Sequence, residues 1–476
     1  MKKFIIGLIT MLIFGTAFSQ KINYQKTFEE ALIKAKAEHK LVFVTIAPII
    51  PKAFEFQGKK VSYKSAIDEP EVISFYNKNF ISYTVLFTDS VSTPFRIKYQ
   101  TSTYPSYLFI DNYNNLVYQE NGNSTLAAKY ISMGNNALTR LASGKTISAY
   151  ANRYLLGERS AEFLKEYITL RQELGLFDNA ALADDYVDQL TIKSFQNYAE
   201  VLFVLKAGPY AYGKAYNLCF TNRKITDSIY KYEPSAVRSA INSHIIANTA
   251  NEAIKRKNVA MAQQAANFTA NTWNKQNPRQ GYISSQSQML NYYRNVKDTA
   301  MYYRQALYFY DAYMNISADS SKKLDTKRSE NMMKMMVAKH PPDTVRTVVK
   351  GPDSVKRTIT RISHIGRPVA ISGNGNVISS VSSTATTLNN AAYQFYQLGT
   401  YNQTYLTKAL MWSKRSIELN PISAYYDTEA HLLYRLGFYD EARSAQGKAI
   451  ELSQNETQAT VDRYKTELDK IKKRTL

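Results

Sequence analysis

The chain carries a single cysteine, Cys219, in 476 residues, and that decides its thiol chemistry. Dithiol exchange needs one thiolate to attack and a second thiol to resolve the mixed disulfide. No intramolecular redox pair can form, so a thiol–disulfide oxidoreductase is excluded. Cys219 lies between Leu218 and Phe220 in an apolar segment, where it reads as a buried, inert thiol; the alternative is an intermolecular disulfide. Metal chemistry needs clustered ligands, and His39, His244, His340, His364 and His431 are scattered singly. Met332, Met333, Met335 and Met336, with His340 nearby, have the types for a soft copper site. A short apolar contact patch accounts for them without a metal. Asp184-Asp185 and Asp68-Glu69 are carboxylate pairs in sequence, with helix-surface or capping roles as the default reading. No nucleophile elbow, Walker loop or dinucleotide fingerprint occurs. The expectation is a protein without a catalytic constellation, metal or cofactor, acting by holding something.

Composition bounds what it holds. Lys2 and Lys3 precede an apolar run from Phe4 to Phe14 and the small-x-small sequence Ala17-Phe18-Ser19, the pattern of a secretory signal peptide over 1–19. The apolar run is too short for a membrane span, and no cysteine at the cleavage site offers a lipid anchor. A soluble, exported protein is expected, with the periplasm favoured over full release. Removing the two lysines lowers the formal charge from +21 to +19. Such a balance points to an anionic partner: an acidic protein or peptide of the cell envelope, an acidic membrane surface, or a glycan. Export argues against nucleic acid. A solvated basic surface with no dedicated partner is the alternative.

The elements that would position a binding site begin at Thr27-Phe28-Glu29-Glu30, a capping box opening an amphipathic helix over 28–38. Leu41 to Ile46 is a continuous apolar, β-branched run, the mark of a strand buried on both faces. A short helix over Glu71–Asn77 leads into a second strand, Phe80–Phe87; Pro94–Tyr99 is a brief helix or turn. A third strand, Tyr107–Ile110, turns through Asp111-Asn112-Tyr113-Asn114-Asn115 into a fourth, Leu116–Gln119.

This order of elements over roughly 24–140 resembles the thioredoxin-like family, in its exported bacterial form with an added N-terminal helix. The most specific piece is Tyr104-Pro105-Ser106-Tyr107-Leu108-Phe109-Ile110-Asp111, similar to the family's proline-strand-aspartate segment. The resemblance implies a cis Pro105, with Tyr104, Pro105 and Ser106 forming a face able to pair with an extended peptide. The alternative is a turn proline that only shapes the sheet. Where the family carries its redox cysteines, this chain has Ala47-Pro48-Ile49-Ile50-Pro51-Lys52, followed by an elaboration through Phe54–Lys64.

Residues 145–316 are helical by pattern. Phe163, Tyr167, Leu170 and Leu174 share one face, and Leu182, Tyr186 and Leu190 the next, but no clean repeat length emerges. Residues 317–388 read as a basic low-complexity loop or insertion, broken by Pro341-Pro342, Gly351-Pro352 and Gly373-Asn374-Gly375-Asn376. A β-hairpin around Lys350–Ser354 and a disordered loop both fit it. From 389 an internal repeat emerges. Arg415-Ser416-Ile417-Glu418-Leu419 and Lys448-Ala449-Ile450-Glu451-Leu452 are 33 residues apart, whereas the turns Leu398-Gly399 and Leu436-Gly437 are 38 apart. The first unit therefore holds about five extra residues between its turn and second helix.

Leu436-Gly437-Phe438-Tyr439-Asp440-Glu441-Ala442, with Pro421 closing the first unit, resembles a tetratricopeptide repeat. Ala392 and Ala430 stand where that family expects glycine. Two repeats need neighbours to be stable, and Glu467–Lys473 is expected in a capping helix. The resemblance implies a concave peptide-binding face presenting Tyr393, Tyr396 and Gln397 from one unit and Asp427, His431, Tyr434 and Arg435 from the next. The expected architecture is thus a thioredoxin-like α/β domain (20–144), a central α-helical array (145–316), the basic insertion (317–388) and the repeats (389–476). The expected role is a non-redox binding scaffold or chaperone-like factor. An electrostatic binder of acidic lipid or polysaccharide through Lys322–Arg367 is the second reading, and a divergent enzyme the third.

Overall fold

A computed structural model describes residues 21–47, 53–56, 59–62, 65–101, 104–273, 277–339, 343–349, 357–363 and 383–476. The signal-like residues 1–19, Pro48–Lys52, His340 and His364 lie outside the described residues, as do the side chains of Met332, Met333, Met335 and Met336. The chain divides into two compact units, residues 1–244 and 245–476.

In the first unit, helix α1 (Phe28–Glu38) precedes strands β1 (Leu41–Ala47), β2 (Ala53–Phe56) and β3 (Lys59–Ser62). Then follow α2 (Pro70–Asn79), β4 (Phe80–Leu86), α3 (Ser92–Lys98), β5 (Ser106–Ile110), β6 (Leu116–Asn121) and α4 (Ala127–Ala142). β4, β1, β5 and β6 form one sheet in that order; β1 and β4 are parallel, and β5 and β6 alternate antiparallel. Leu41, Val42, Phe43, Val44 and Ile46 are all buried, as a central strand covered on both faces requires. Tyr76, Phe80 and Phe109 pack around Phe43 and join a core that α4 closes with Tyr130, Met133 and Ala137. β2 and β3 pair separately as a hairpin, within the segment read only as an elaboration.

The capping box is realised in part. Thr27 Oγ1 accepts from the Glu30 amide at 3.1 Å, but the Glu30 carboxylate reaches the Lys26 amide at 3.2 Å, one residue before the cap. The remaining helices of the first unit are α5 (Ile147–Leu155), α6 (Ala161–Glu173), α7 (Ala180–Asp188), α8 (Tyr198–Ala207), α9 (Lys214–Cys219) and α10 (Arg223–Tyr232). α11 (Ser235–Arg256) carries the division between the units.

The second unit continues with α12 (Val259–Trp273), α13 (Pro278–Asn295), α14 (Thr299–Met314) and α15 (Ala318–Lys339). β7 (Asp343–Val349) and β8 (Arg357–Ser363) pair as an antiparallel hairpin, and α16 (Ser383–Gln397), α17 (Gln403–Leu419), α18 (Ser423–Arg435), α19 (Tyr439–Leu452) and α20 (Gln458–Lys473) follow. Two stretches of the expected loop are therefore helical: α15 at its start, and the first turns of α16 at its end. α15 lacks the apolar periodicity that signals a helix in sequence, since polar and basic residues fill its first turns.

The second unit's core runs through α11–α14 and α16–α18 and centres on fully buried Trp412 and Phe395, with Tyr302, Tyr303 and Phe309 beside them. Trp412 Nε1 donates to Asp311 Oδ1 at 2.9 Å, so its one polar atom is satisfied. α16 pairs with α17 and α18 with α19 as helical hairpins. Gly399 and Gly437 take φ of +75° and +89° at the turns, a conformation side chains resist, which is why both repeats need glycine there. The extra residues of the first hairpin are shared out. α17 has 17 residues against 14 in α19, and the turn before it is two residues longer. Ala392 and Ala430 are fully buried where small residues allow close helix approach.

Candidate functional site

The first candidate site is built at one end of the four-stranded sheet. Strands β1 and β4 finish there side by side, with the Phe87 amide donating to the Ala47 carbonyl at 2.8 Å. β5 begins next to them, Ser106 paired with Ile46. The Tyr104–Pro105 peptide is cis, Pro105 and Ser106 are buried, and the Pro105 carbonyl accepts from the Gly122 amide at 2.8 Å. Tyr104 is half-buried. Its ring meets Phe87 at 4.5 Å between centroids, and its hydroxyl donates to the Thr101 carbonyl at 3.1 Å. Neither the N–H nor the C=O of Tyr104 is hydrogen-bonded to another described residue. Backbone groups held without partners at the C-terminal ends of parallel strands stand where open α/β sheets take ligands.

Phe87 and Arg96 complete this end of the sheet, and sequence reasoning singled out neither. The Arg96 guanidinium lies 4.6 Å from the Phe87 ring centroid and donates from Nη2 to Thr93 Oγ1 at 3.1 Å. No local signature marks them. Phe87 follows a strand and Arg96 sits in the seven-residue α3, so only the fold brings them to Tyr104.

The second candidate site lies on the hairpins of the other unit. Tyr393, Tyr396, His431 and Arg435 come together there. The two tyrosine rings flank His431, at 6.3 and 4.8 Å, and the Arg435 guanidinium sits 3.8 Å over Tyr396 and 5.4 Å from Tyr401. Arg435 Nη1 also donates to the Tyr396 carbonyl. Gln397 is exposed; Tyr434 is half-buried, accepting from the Leu476 amide at 3.2 Å.

Asp427 and His431 depart from the expected open face, for both are buried. Asp427 accepts from Gln446 Nε2 at 2.9 Å and from Arg463 Nη1 at 3.3 Å. His431 Nδ1 lies 2.7 Å from the Asp427 carbonyl, which can only accept, so Nδ1 carries the proton; Nε2 lies 3.7 Å from Glu467. Arg463 and Glu467 belong to α20. What resemblance places on a binding face is here a polar layer between successive helices, covered by the last one. The half-exposed Tyr393, Tyr396 and Arg435, with exposed Tyr401 and Gln397, are what remains open.

The other reactive residues have structural partners. Cys219 is fully buried, its thiol pushed up to about 12 by desolvation, chiefly, and by the Glu200 charge. Asp184 accepts from the Ala215 amide, and Asp185 binds the Tyr154 hydroxyl and Arg159. His244 stacks on Phe177 at 4.0 Å, and burial holds it below its ordinary range. A cleft of about 540 Å³ between α4 and α6 is lined by Arg140, Glu173, Tyr150 and Glu166, which pair with one another. Among the described residues no group of three or more His, Cys, Asp or Glu is placed to hold a metal ion, and no helix is long and apolar enough to cross a membrane.

No family model matches the chain, and no curated protein matches its sequence. One solved structure, titled "Crystal Structure of P58(IPK) TPR Domain at 2.5 A", matches 73% of this chain and 98% of its own at 10% identity, with a TM-score of 0.18. A score that low carries no argument about this fold.

Proposed function

We propose that this chain is an exported, non-redox scaffold of the cell envelope that binds proteins or peptides, joining a thioredoxin-like domain (20–144) to tetratricopeptide-like hairpins (389–476). The observation that carries the reading is that the Tyr104 N–H and C=O at the sheet end have no hydrogen-bond partner among the described residues, so an extended peptide can add its own N–H and C=O there. The strand order β4-β1-β5-β6 and the cis Tyr104–Pro105 bond support the thioredoxin-like assignment, and the paired helices with glycine turns support the repeat assignment. The pattern of residues 1–19 supports export to the periplasm. With one buried thiol, the role is holding rather than thiol exchange.

Replacing Tyr104 or Tyr401 by a photo-cross-linking phenylalanine analogue in the full chain tests this in living cells. Discrete protein adducts are expected from one or both positions and not from Tyr113, a control in the β5–β6 turn about as exposed as Tyr401. Adducts absent from both, or no different from the control, would overturn the scaffold reading.

A second reading rests on α15, whose Lys322, Lys323 and Lys327 are exposed: an electrostatic grip on acidic lipid or glycan.

A further inference from the structure

We infer that the sheet-end site selects extended peptides bearing a carboxylate beside the paired backbone, and that Arg96 reads that carboxylate. This rests on the reading of Tyr104 as a peptide-pairing residue and adds the chemistry of the partner.

Arg96 carries a charge that no described residue neutralises. Arg96 is half-buried, stacked on Phe87, and its side-chain acceptor is a neutral hydroxyl, Thr93 Oγ1. Among the described residues no carboxylate comes within 4.0 Å of it; Arg140, Arg153, Arg159 and Arg171 of the same unit each have one, and Arg223 and Arg238 do not. A partly desolvated guanidinium is screened less than a surface one, so an arriving carboxylate gains more there than in water.

Position supplies the second half. Phe87 touches both the guanidinium and the Tyr104 ring, which brings the charge to the unpartnered Tyr104 backbone. Two further polar atoms here, Arg96 Nε and Thr101 Oγ1, are buried without a hydrogen-bond partner among the described residues. Thr101 ties the two together: its amide donates to the Arg96 carbonyl and its carbonyl accepts from the Tyr104 hydroxyl. Each such atom in a folded chain calls for an explanation, and a bound peptide would supply one for these two. Exposed Leu86, Val91 and Ile97 stand on the same β4–α3 segment and offer apolar contacts to alternate side chains of a strand-like peptide. The arrangement fits an extended acidic–apolar peptide: main-chain bonds to Tyr104, an aspartate or glutamate to Arg96.

Two fluorescein-labelled, end-blocked octapeptides of alternating valine and threonine, one with a central aspartate and one with asparagine, are titrated into the full chain at low salt. The aspartate peptide is expected to bind about 10-fold tighter, the scale of one charge-assisted hydrogen bond. Arg96→Gln should abolish the difference between the two peptides; Arg96→Lys should keep part of the preference. Circular dichroism of each variant checks the fold. Equal binding of the two peptides would overturn the role of Arg96 and leave the peptide-pairing reading standing. Binding of neither would overturn both.

Discussion

At the scale of single residues, reactive side chains are turned into packing, while the Tyr104 backbone and the Arg96 charge have no partner among the described residues. Cys219 is the clearest case. Desolvation raises its thiol from an ordinary value of 9.0 to about 12, so at neutral pH it is uncharged and out of reach of reagents. Iodoacetamide should leave the native chain unlabelled and modify one site after denaturation; rapid native labelling would contradict the burial. The same shift has a consequence for stability. Because the folded thiol holds its proton more tightly than the unfolded one, its contribution is complete below about pH 9 and is lost as pH rises toward 12. Between pH 9 and 10, before ordinary tyrosines titrate, the melting temperature should fall less steeply in Cys219→Ala than in the parent.

At the scale of elements, the decisive piece is α20. It buries Tyr464 and Ile471, supplies Arg463 to the buried Asp427, and brings Glu467 to His431. The Tyr464 carbonyl also accepts from Gln446, itself fully buried. Helical hairpins need such a cap because the last pair otherwise leaves an apolar face and its polar layer open to water. Tyr464→Ala deletes a buried aromatic at the centre of this contact and should cost about 3 kcal/mol, read as a drop in the denaturation midpoint. An unchanged midpoint would mean that α20 does not cap the hairpins.

At the scale of the whole molecule, 60 basic against 39 acidic residues give a field that favours anionic partners at a distance, whatever site makes the final contact. Pelleting with vesicles of anionic lipid separates the electrostatic reading from the scaffold reading. If the exposed lysines of α15 grip a membrane, binding should be strong at about 20 mM salt and largely gone by about 150 mM, where charges farther apart than roughly 8 Å are screened. Binding that persists across that range would rule out a purely electrostatic grip.

The four strands of the main sheet and the Thr27 cap were legible in residue order because their signals are local, whereas the β2–β3 hairpin was not. The continuous run Leu41–Ile46 demands a strand covered on both faces, and the hydroxyl of Thr27 can cap only the helix that follows it. Gly399 and Gly437 announced the hairpin turns for the same reason, since a positive φ is a property of one residue. The cysteine count alone excluded dithiol exchange. Tertiary structure decided everything that depends on residues far apart in sequence. It buried Asp427 and His431 beneath a helix thirty residues onward, and it joined Phe87, Arg96 and Tyr104 at the sheet end. It also made a helix of α15, whose polar opening carries no apolar stripe. The division is physical: propensity, capping and turn geometry act within a few residues, whereas burial and unmatched charge exist only once distant segments have displaced the water between them.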